Sequence, residues 1–473
     1  MRTVACGNAT FYFSSSGVCE RRKGREDMFD LTFTLSHEGI ALMLFACMGM
    51  LMLTGQRVFA AIGFTGAVAA LFLWGTGGSQ MAFNASITLM KWFPMITLPL
   101  FIYMGYMLSE SGIANDLYRM FHVWMGPLPG GLAIGTVILM VAISAMNGLS
   151  VAGMAIGATI AMPEMLKRGY DKRMVSGVVQ AGSSLGIMMP PSVVMVLYGM
   201  IARQPVSSLW MAGIGPALMF AVILIGYIII RCKLNPAMGP ALPKEERESI
   251  TQAEKWKSLW AGLLPLAIIF SVTGAFMSGI TSLVESSAVG ALVATIAALV
   301  KGRLTSRVMR VVLVQTLSVS CMFMWIIMAA LCFSSVFDGL GAVHAIKKLF
   351  IDGWNLSPWG VLIVMQLSYL FMGMFLDDTA MLIIVAPLYI PLVKALGFDP
   401  IWYGVLYTIT CQIAYMTPPF GYNLFLMKAM APKGVTLNDI YASIVPMVII
   451  MVVGLVLVML FPDIAMFLPR TFL

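Results

Sequence analysis

Long apolar runs, separated by short polar stretches, recur along the whole chain and predict membrane-spanning helices. Each run has about 18 residues or more, which is enough to cross about 30 Å of hydrocarbon. Clear examples are 36–54, 58–75, 208–230, 281–300 and 441–468. The composition agrees, because 60% of the residues are hydrophobic and only 11% are charged, whereas soluble proteins carry about 25% charged residues. The pattern predicts an all-α polytopic membrane protein.

Four stretches rich in glycine, serine, proline or aspartate interrupt segments that are otherwise apolar. They read SAMNGLS, GSSLGIMMPPS, FLDDT and TPPFGYN, at 144–150, 182–192, 375–379 and 417–423. Proline removes a backbone donor and clashes with the preceding turn, so it breaks a helix. Backbone groups freed inside a membrane need protein, ion or water partners. We therefore expect broken helices around a binding site, and re-entrant hairpins that enter the membrane and return at 87–111 and 316–338.

Two parts of the chain are related by one constant offset of 228 residues. The offset aligns Pro163 with Pro391, Gly169 with Gly397 and Asp171 with Asp399. It also carries Pro190-Pro191 onto Pro418-Pro419, and Ser150-Val151 onto Asp378-Thr379. Self-similarity at a fixed offset indicates two homologous halves, which we place at about 86–201 and 316–430.

The charges of the loops predict that these halves have opposite orientations. The Gly169 turn is flanked by Lys167, Arg168, Lys172 and Arg173, whereas the equivalent turn at Gly397 has only Lys394. Basic loops favour the cytoplasmic side, and the basic loops 231–257 and 301–310 fit the same side. The sequence thus predicts an inverted repeat, a feature of secondary transporters; the alternative is an accidental asymmetry of charge.

The predicted organisation places the two transport repeats between scaffold helices. The segments are a disordered extension or mis-assigned start (1–27), N-terminal scaffold helices (28–85), transport repeat 1 with a hairpin and broken helices (86–201), central scaffold helices with the cytoplasmic loop 231–257 (202–315), transport repeat 2 with a hairpin and broken helices (316–430) and a C-terminal helix (431–473).

Two adjacent aspartates, Asp377 and Asp378, lie inside an apolar segment. A charge at membrane depth costs at least about 2.5–3.5 kcal/mol, so we expect at least one of them to serve an ion or substrate site. The alternative is a helix cap at the break. Glu285 is different, because Ser282 three residues earlier fits a capping box at a helix start.

Other function classes lack their sequence signatures. The dipeptide Gly-Lys is absent, which excludes a P-loop, and no HExxH zinc motif is present. The seven cysteines show no paired spacing, so no metal or disulfide framework is predicted, and no cofactor is expected. The net charge of +8 lies mainly in loops between apolar segments and does not indicate nucleic-acid binding. The 42 methionines are interpreted as packing residues, and we predict that the chain is not an enzyme.

The interrupted segments carry a resemblance to a known family. The stretches GSSLGIMMPPS, FLDDTAMLIIVAPLYIPLVKALGFDP and TPPFGYNLF resemble the large membrane subunit of tripartite ATP-independent periplasmic (TRAP) transporters. The segment ITLPLFIYMGYMLSESG resembles a hairpin region of the same family. The resemblance runs from about Met28 to the C-terminus.

The resemblance implies an elevator-type transporter in the bacterial inner membrane, with several partners. These are a small four-helix membrane subunit, a periplasmic substrate-binding protein, a small organic anion (usually a carboxylate) and sodium ions that drive uptake. The sodium candidates that it implies are Asn147, Gly148, Ser150, Gly182, Ser183, Thr379, Thr417, Pro418, Gly421 and Asn423. The substrate candidates are Asp378, Thr379 and Asp377.

Two departures from the family pattern lie near the expected substrate and leave its identity open. The first break reads AMNGLS rather than a Gly-Ser-Ser run, and Asp378 stands where many members have proline. Three rival functions also stay open at this point: a stand-alone ion-coupled carboxylate carrier, an integral-membrane enzyme and a passive channel. The dispersed aspartates and histidines disfavour the enzyme.

Overall fold

The computed structural model describes most of the chain. The described residues are 4–6, 9–13, 19–20, 37–74, 77–126, 128–147, 150–241, 251–341, 356–374, 376, 378–418, 421–432 and 434–472. Two predicted site residues, Gly148 and Asp377, lie outside them.

Three short antiparallel strands precede the helices. They are β1 (Val4–Cys6), β2 (Ala9–Phe13) and β3 (Cys19–Glu20), paired in the order β1-β2-β3. Val4 lies opposite Phe11, and Tyr12 lies opposite Glu20. The prediction for residues 1–27, a disordered extension or a mis-assigned start, stays a prediction.

The rest of the described chain is helical. The helices up to residue 234 are α1 (His37–Leu53), α2 (Val58–Leu73), α3 (Gly78–Met90), α4 (Thr97–Glu110), α5 (Ile113–Met125), α6 (Gly131–Asn147), α7 (Ser150–Ile156), α8 (Met162–Lys167), α9 (Lys172–Ser184), α10 (Val193–Ala202) and α11 (Val206–Leu234). The later helices are α12 (Gln252–Met277), α13 (Leu283–Val300), α14 (Ser306–Gly339), α15 (Pro358–Met372), α16 (Asp378–Ala395), α17 (Pro400–Tyr415), α18 (Tyr422–Met430), α19 (Leu437–Leu460) and α20 (Asp463–Phe472). Short 3₁₀ helices cover Phe93–Ile96, Leu185–Ile187 and Pro236–Met238, and a π-helical turn covers Gly157–Ala161.

Side-chain caps define where many of these helices begin. The capping residues accept a hydrogen bond from a first-turn N–H, which satisfies one of the free donors at a helix start. They are Asp171, Ser192, Thr251, Ser282, Thr305, Ser357, Asp399 and Thr436. Ser282 and Glu285 form the predicted capping box, so the structural interpretation of Glu285 is confirmed.

Five helices among the described residues are long and apolar enough to cross a membrane. They are α11, α12, α13, α14 and α19. A bent pair within α16, Asp378–Ala386 and Tyr389–Ala395, turns by 56° and passes the same test as one span. The prediction of a polytopic all-helical membrane protein is confirmed for this part of the chain.

The long helix α14 is the centre of one packed layer. It lies against α2, α3 and α4, while α13 packs on α4 and α12 packs on α5. Glycines permit the closest of these approaches: a Cβ on Gly63 would lie 3.3 Å from the Ala329 Cβ, and one on Gly66 would lie 3.0 Å from the Phe333 Cα. Small residues of this kind let membrane helices pack closely.

The two predicted halves contain the same sequence of elements around their breaks. In the first half, α6 ends at Asn147 and α7 begins at Ser150, and α9 and α10 are separated by residues 185–192. In the second half, α15 ends at Met372 and α16 begins at Asp378, while α17 ends at Tyr415 and α18 begins at Tyr422. These helix ends lie at or beside the four interruptions in the sequence, and the broken helices stay a prediction.

Packing between the halves is reciprocal. Helix α10 of the first half packs on α16 of the second, and α18 of the second half packs on α7 of the first. The helix pairs α6–α7 and α15–α16 are called the first and second hairpins below, and residues 185–192 and 416–421 the first and second breaks. The helix that follows each break therefore contacts the hairpin of the other half. Reciprocal contacts of this kind are expected when a rotation by a half-turn relates two similar units.

The two equivalent turns have the same backbone geometry. Gly169 and Gly397 have φ values of +79° and +80°, in the left-handed region that favours glycine. Two residues later, Asp171 accepts a hydrogen bond from the Met174 N–H and Asp399 accepts one from the Ile401 N–H. The local structure therefore repeats at the offset that the sequence predicts.

These turns lie at opposite ends of α19. Next to the first turn, Arg173 lies 4.0 Å from Asp439, near the start of α19. Close to the second turn, Trp402 Nε1 donates to the Val458 carbonyl, near its end, at 3.0 Å. The intervening helix rises about 29 Å, at 1.5 Å per residue, which is about the thickness of the hydrocarbon core.

Two expectations about element boundaries are wrong. The segment 316–338, expected to be a hairpin, belongs to the continuous helix α14. It contains no glycine or proline, and the Ser335 hydroxyl donates to the Leu331 carbonyl within the helix. The region 431–473, expected to hold one helix, contains α19 and α20, which separate at Phe461 and Pro462. The segment 87–111 contains the end of α3, a 3₁₀ turn and α4.

Candidate functional site

The first break follows the end of α9, where the predicted ligands Gly182 and Ser183 are buried. A Cβ on Gly182 would lie 3.0 Å from the Met140 Cβ, so only glycine lets α6 approach this closely. The Ser183 hydroxyl donates to the Gln180 carbonyl at 2.9 Å. Helices α6 and α7 both pack on α9 and on the 3₁₀ turn that follows it. Helices α6 and α7 therefore lie against the end of α9 and the first break.

Ser150 begins α7 and is buried. It follows Asn147, the last residue of α6. Gly148, predicted as a ligand between them, lies outside the described residues. Helix α7 also contacts α18, so the start of α7 lies in the region where the two halves meet.

The second hairpin brings buried polar groups to the start of α16. Asp378 and Thr379 are its first two residues, and both are buried. Asp378 Oδ1 accepts hydrogen bonds from the Thr379 N–H at 2.7 Å and from the Thr379 hydroxyl at 3.2 Å. Both contacts are with the adjacent residue, so neither is the bond to an N–H two or three residues along that defines a helix cap, and the substrate role of Asp378 stays a prediction. Asp377 lies outside the described residues.

A tyrosine of α17 holds this helix start in place. The Tyr407 hydroxyl donates to the Asp378 carbonyl, and its ring lies 4.8 Å from the Tyr369 ring of α15. The Tyr403 hydroxyl donates to the Tyr369 hydroxyl at 2.9 Å. The second hairpin is therefore attached to α17 through buried hydroxyl and ring contacts, which no sequence motif indicates.

The second break gathers backbone carbonyls around Gly421. A Cβ at this position would lie 2.7 Å from the Tyr415 carbonyl oxygen and 2.9 Å from the Thr417 carbonyl oxygen. The carbonyls at the end of a helix carry partial negative charge. This part of the break therefore presents oxygen atoms of the type that binds hard cations.

The other predicted ligands of the second break differ in burial. Asn423 is fully buried in α18, and neither Oδ1 nor Nδ2 has a hydrogen-bond partner among the described residues. The Thr417 hydroxyl donates to the Ile413 carbonyl at 2.7 Å. Pro418 is exposed. Asn423 is thus the predicted ligand whose side chain most needs a partner, because a buried amide without one is costly.

No cluster of three or more histidine, cysteine, aspartate or glutamate side chains that could hold a metal occurs in the described part of the chain. The oxygens near the breaks belong to carbonyl, hydroxyl and amide groups, together with the carboxyl of Asp378. Such a set suits an alkali or alkaline-earth cation better than a transition metal.

An ion-pair cluster lies apart from the breaks and joins α5 to the turn after α13. Asp116 accepts hydrogen bonds from Lys301 Nζ at 2.6 Å and from Arg303 Nη2 at 3.0 Å. Arg303 Nη1 also donates to the Gly112 carbonyl at 2.8 Å. Burial raises the pKa of Asp116, but the hydrogen bonds from Arg303 and Lys301 outweigh burial and hold that pKa below its ordinary value. The cluster connects a segment assigned to transport repeat 1 with the predicted scaffold.

The chain that forms these paired breaks is similar in sequence to known transport proteins. Residues 45–464 match the family described as the tripartite ATP-independent periplasmic transporter, DctM component. This chain belongs to the DctM family. The predicted resemblance to the large TRAP subunit is therefore confirmed.

Curated DctM relatives cover most of the chain. The C4-dicarboxylate TRAP transporter large permease protein DctM of Pseudomonas aeruginosa is 32% identical over 386 residues, which are 80% of this chain and 86% of that protein. Its counterpart in Rhodobacter capsulatus is 29% identical over 445 residues, which are 91% and 99% of the two chains. Other relatives carry names that specify sialic acid (Haemophilus influenzae), ectoine (Halomonas elongata) and 2,3-diketo-L-gulonate (Escherichia coli).

A solved transporter shares the fold at low sequence identity. The YdaH transporter of Alcanivorax borkumensis superposes with a TM-score of 0.60 and 14% identity, covering 90% of this chain and 99% of that one. The DctM relatives and the apolar helices identify the chain as a multi-pass bacterial membrane transport protein. Because the relatives are permease subunits, the prediction that the chain is not an enzyme is confirmed.

Proposed function

We propose that this DctM-family protein is the permease subunit for sodium-coupled uptake of a small organic anion across the bacterial inner membrane. A periplasmic binding protein delivers the anion, and a small four-helix membrane subunit completes the transporter. Sodium ions bind at the two breaks, and the anion binds between them. The chain needs no other cofactor.

The observation that carries this proposal is the convergence of carbonyl oxygens on Gly421. Two carbonyl oxygens lie only 2.7 and 2.9 Å from the place that a Cβ of this residue would take. The fully buried Asn423 amide lies two residues further along the chain. Unwound carbonyls near the bilayer midplane coordinate sodium in secondary transporters with broken helices. The other break offers Ser150, Gly182 and Ser183 as the equivalent set.

The anion is placed by the starts of the short helices. Helices α7, α10, α16 and α18 each begin at a break or a hairpin end. A helix N-terminus carries partial positive charge and exposed N–H donors, so it attracts an anionic group. Asp378 and Thr379 lie at one of these starts, which makes them the residues that select among anions.

Transport by an elevator motion agrees with the packing of the halves. The breaks and hairpins contact each other reciprocally, so they form one unit that moves as a body. We assign α2, α3, α4, α12, α13 and α14 to the scaffold, although the sequence placed α4 and most of α14 in the transport repeats; α14 also contacts α16 of the moving unit. The two equivalent turns at opposite ends of α19 support an inverted relation between the halves.

The substrate is an organic anion of the range that the named relatives cover. A dicarboxylate, a sugar acid and a sialic acid all carry a carboxylate, whereas ectoine adds a positive centre to it. The buried Asp378 carboxyl disfavours substrates with dense negative charge at its own position. A thermal-shift screen of the partner binding protein against these classes would identify the solute.

The test of this function is uptake of that solute by the reconstituted three-component system. Omission of the binding protein distinguishes the proposed function from a stand-alone carrier. We expect uptake to require both the binding protein and the small subunit. Full uptake by this chain alone would refute the proposed dependence on partners and favour the stand-alone carrier.

A further inference from the structure

Gln412 is a fully buried amide that no predicted function uses. It lies in α17, three residues before the helix ends at Tyr415. Its exposed fraction is 0%, and neither Oε1 nor Nε2 has a hydrogen-bond partner among the described residues. A buried polar group without a partner has lost its hydrogen bonds to water and gained none within the protein. An amide with both atoms unpartnered therefore needs a structural or functional explanation.

A neighbouring buried glutamine is paired through its oxygen, although its nitrogen has no partner among the described residues. Gln366 of α15 is 4% exposed, and its Oε1 accepts a hydrogen bond from the Thr410 hydroxyl at 2.6 Å. The Leu406 carbonyl, 3.0 Å from the Thr410 hydroxyl, shares the single proton of that hydroxyl with Gln366. Gln412 lies only two residues from Thr410, yet it shares none of these contacts.

Helix geometry explains the difference. Residues of an α-helix are separated by about 100°, so Gln412 projects about 200° away from Thr410, which faces α15. It lies about 80° from Gly404 by the same geometry, and a Cβ on Gly404 would meet the Tyr198 ring of α10 at 2.5 Å. Helix α17 also packs on the 3₁₀ turn Leu185–Ile187 at the first break. Gln412 is therefore on the side of α17 that faces the first half.

The equivalent position in the first half lies beside predicted sodium ligands. The offset of 228 residues aligns Gln412 with Ser184, which follows the predicted sodium ligands Gly182 and Ser183. The Ser184 hydroxyl donates to the Ala181 carbonyl at 2.9 Å, so it is satisfied within its own helix. The second half places a longer amide at the same position and leaves it unpartnered. Among the described residues, Asn423, across the second break, is the other buried amide with both atoms unpartnered.

We propose that Gln412 is a binding residue that links the coupling ion to the transported anion. Its amide oxygen coordinates sodium, directly or through one water, and its amide nitrogen donates to the anionic group of the solute. One neutral side chain thus satisfies both ligands, because an amide carries an acceptor and donors at the same place. Loading of one ligand then favours loading of the other by linkage. This inference rests on the proposed function.

The test uses sodium itself as the probe, so it does not depend on the identity of the solute. The full chain is unfolded thermally in rising sodium chloride, with choline chloride keeping the ionic strength constant. Wild type is expected to gain stability as sodium binds the folded state. In Gln412→Met, which removes both polar atoms at similar length, the sodium concentration for half of this effect should rise about tenfold or more, as expected for losing one charged contact.

Two further variants separate binding from packing. Gln366→Met removes another buried amide, whose oxygen already accepts the Thr410 hydroxyl while its nitrogen has no partner among the described residues, and its sodium response should match that of wild type. Gln412→Glu keeps two oxygens but loses the donor, so it should retain the sodium response and lose uptake of the anion. If Gln412 had only a packing role, Gln412→Met would raise the unfolding temperature without sodium and leave the sodium response unchanged.

The outcomes distinguish this inference from the proposed function. A sodium response in wild type that persists unaltered in Gln412→Met overturns the role of Gln412 and leaves sodium coupling intact. Wild type without any response specific to sodium refutes sodium coupling and, with it, the inference. A diminished response in Gln412→Met with a normal one in Gln366→Met supports both.

Discussion

Addition of one methyl group at Gly421 tests whether the carbonyl oxygens of the second break bind sodium. A Cβ at Gly421 would lie 2.7 Å from the Tyr415 oxygen and 2.9 Å from the Thr417 oxygen. Both distances are shorter than a Cβ tolerates, and both atoms belong to the backbone, which yields less readily than a flexible side chain. Gly421→Ala must therefore move these carbonyls apart and change the oxygen geometry that we assign to sodium.

The expected loss of sodium affinity follows from the cost of overpacking. Insertion of a methyl group into a packed site costs about 1–3 kcal/mol. If this cost falls mainly on the sodium-bound form, sodium affinity should drop by about 5- to 150-fold. The assay is the sodium dependence of thermal unfolding, with sodium-driven uptake as a second measurement.

A matched control removes the effect of the substitution itself. Gly226 lies in α11, and a Cβ there would meet nothing within 4 Å. Gly226→Ala should leave sodium affinity unchanged, because alanine fits the helix without strain. If Gly421→Ala bound sodium as tightly as Gly226→Ala did, the carbonyls around Gly421 would not be sodium ligands, and the reasoning would fail.

Three further predictions concern the hairpin, the ion-pair cluster and the topology. Tyr407→Phe removes the hydrogen bond to the Asp378 carbonyl. Uptake should therefore fall, and the free energy of unfolding should drop by about 1 kcal/mol. Unchanged uptake would show that Tyr407 is not part of the site. Asp116→Asn should cost about 1 kcal/mol at neutral pH. The pKa of Asp116 is lowered in the folded protein, so its contribution to folding stability is present above the unfolded pKa and is lost as pH falls through the folded pKa. The unfolding temperatures of wild type and Asp116→Asn should therefore converge in acid. A difference that persists in acid would contradict the ion pair. Cysteines at Gly169 and Gly397 should react with a membrane-impermeant reagent from opposite sides, and labelling from one side would refute the inversion.

The breaks are predictable from the sequence because their causes are local. Pro190-Pro191 and Pro418 prevent a continuous helical ladder wherever the chain places them. The Gly169 and Gly397 turns require a left-handed backbone, which glycine supplies at little cost. A single offset then relates the breaks without any knowledge of packing. Element boundaries in these regions therefore agree with the sequence to within a few residues.

The hairpins are harder to place, because a polar residue within an apolar segment does not by itself interrupt a helix. Serines in 316–338 suggest a hairpin by sequence, yet the Ser335 hydroxyl bonds back to the Leu331 carbonyl inside α14. A serine that pairs with its own helix does not break it. Residues 148–149, between α6 and α7, and residues 373–377, between α15 and α16, contain glycine or aspartate instead.

The buried partners of the site depend on tertiary structure. Tyr407 and Gln412 lie in an apolar stretch of α17, and neither has a motif around it. Only the helix packing shows that the Tyr407 hydroxyl meets the Asp378 carbonyl, or that Gln412 faces away from α15. The repeat offers one sequence signal for Gln412. Ser184 follows the predicted ligand Ser183, and the offset of 228 residues aligns Ser184 with Gln412.

The most direct test of sodium coupling is transport driven by the sodium gradient alone. Proteoliposomes containing this chain and its small subunit receive the loaded binding protein outside, under an inward gradient of sodium or of potassium. The account predicts that the solute accumulates against its own gradient only with sodium, and that Gly421→Ala abolishes this accumulation while Gly226→Ala preserves it. Equal accumulation under both gradients would contradict sodium binding at the breaks.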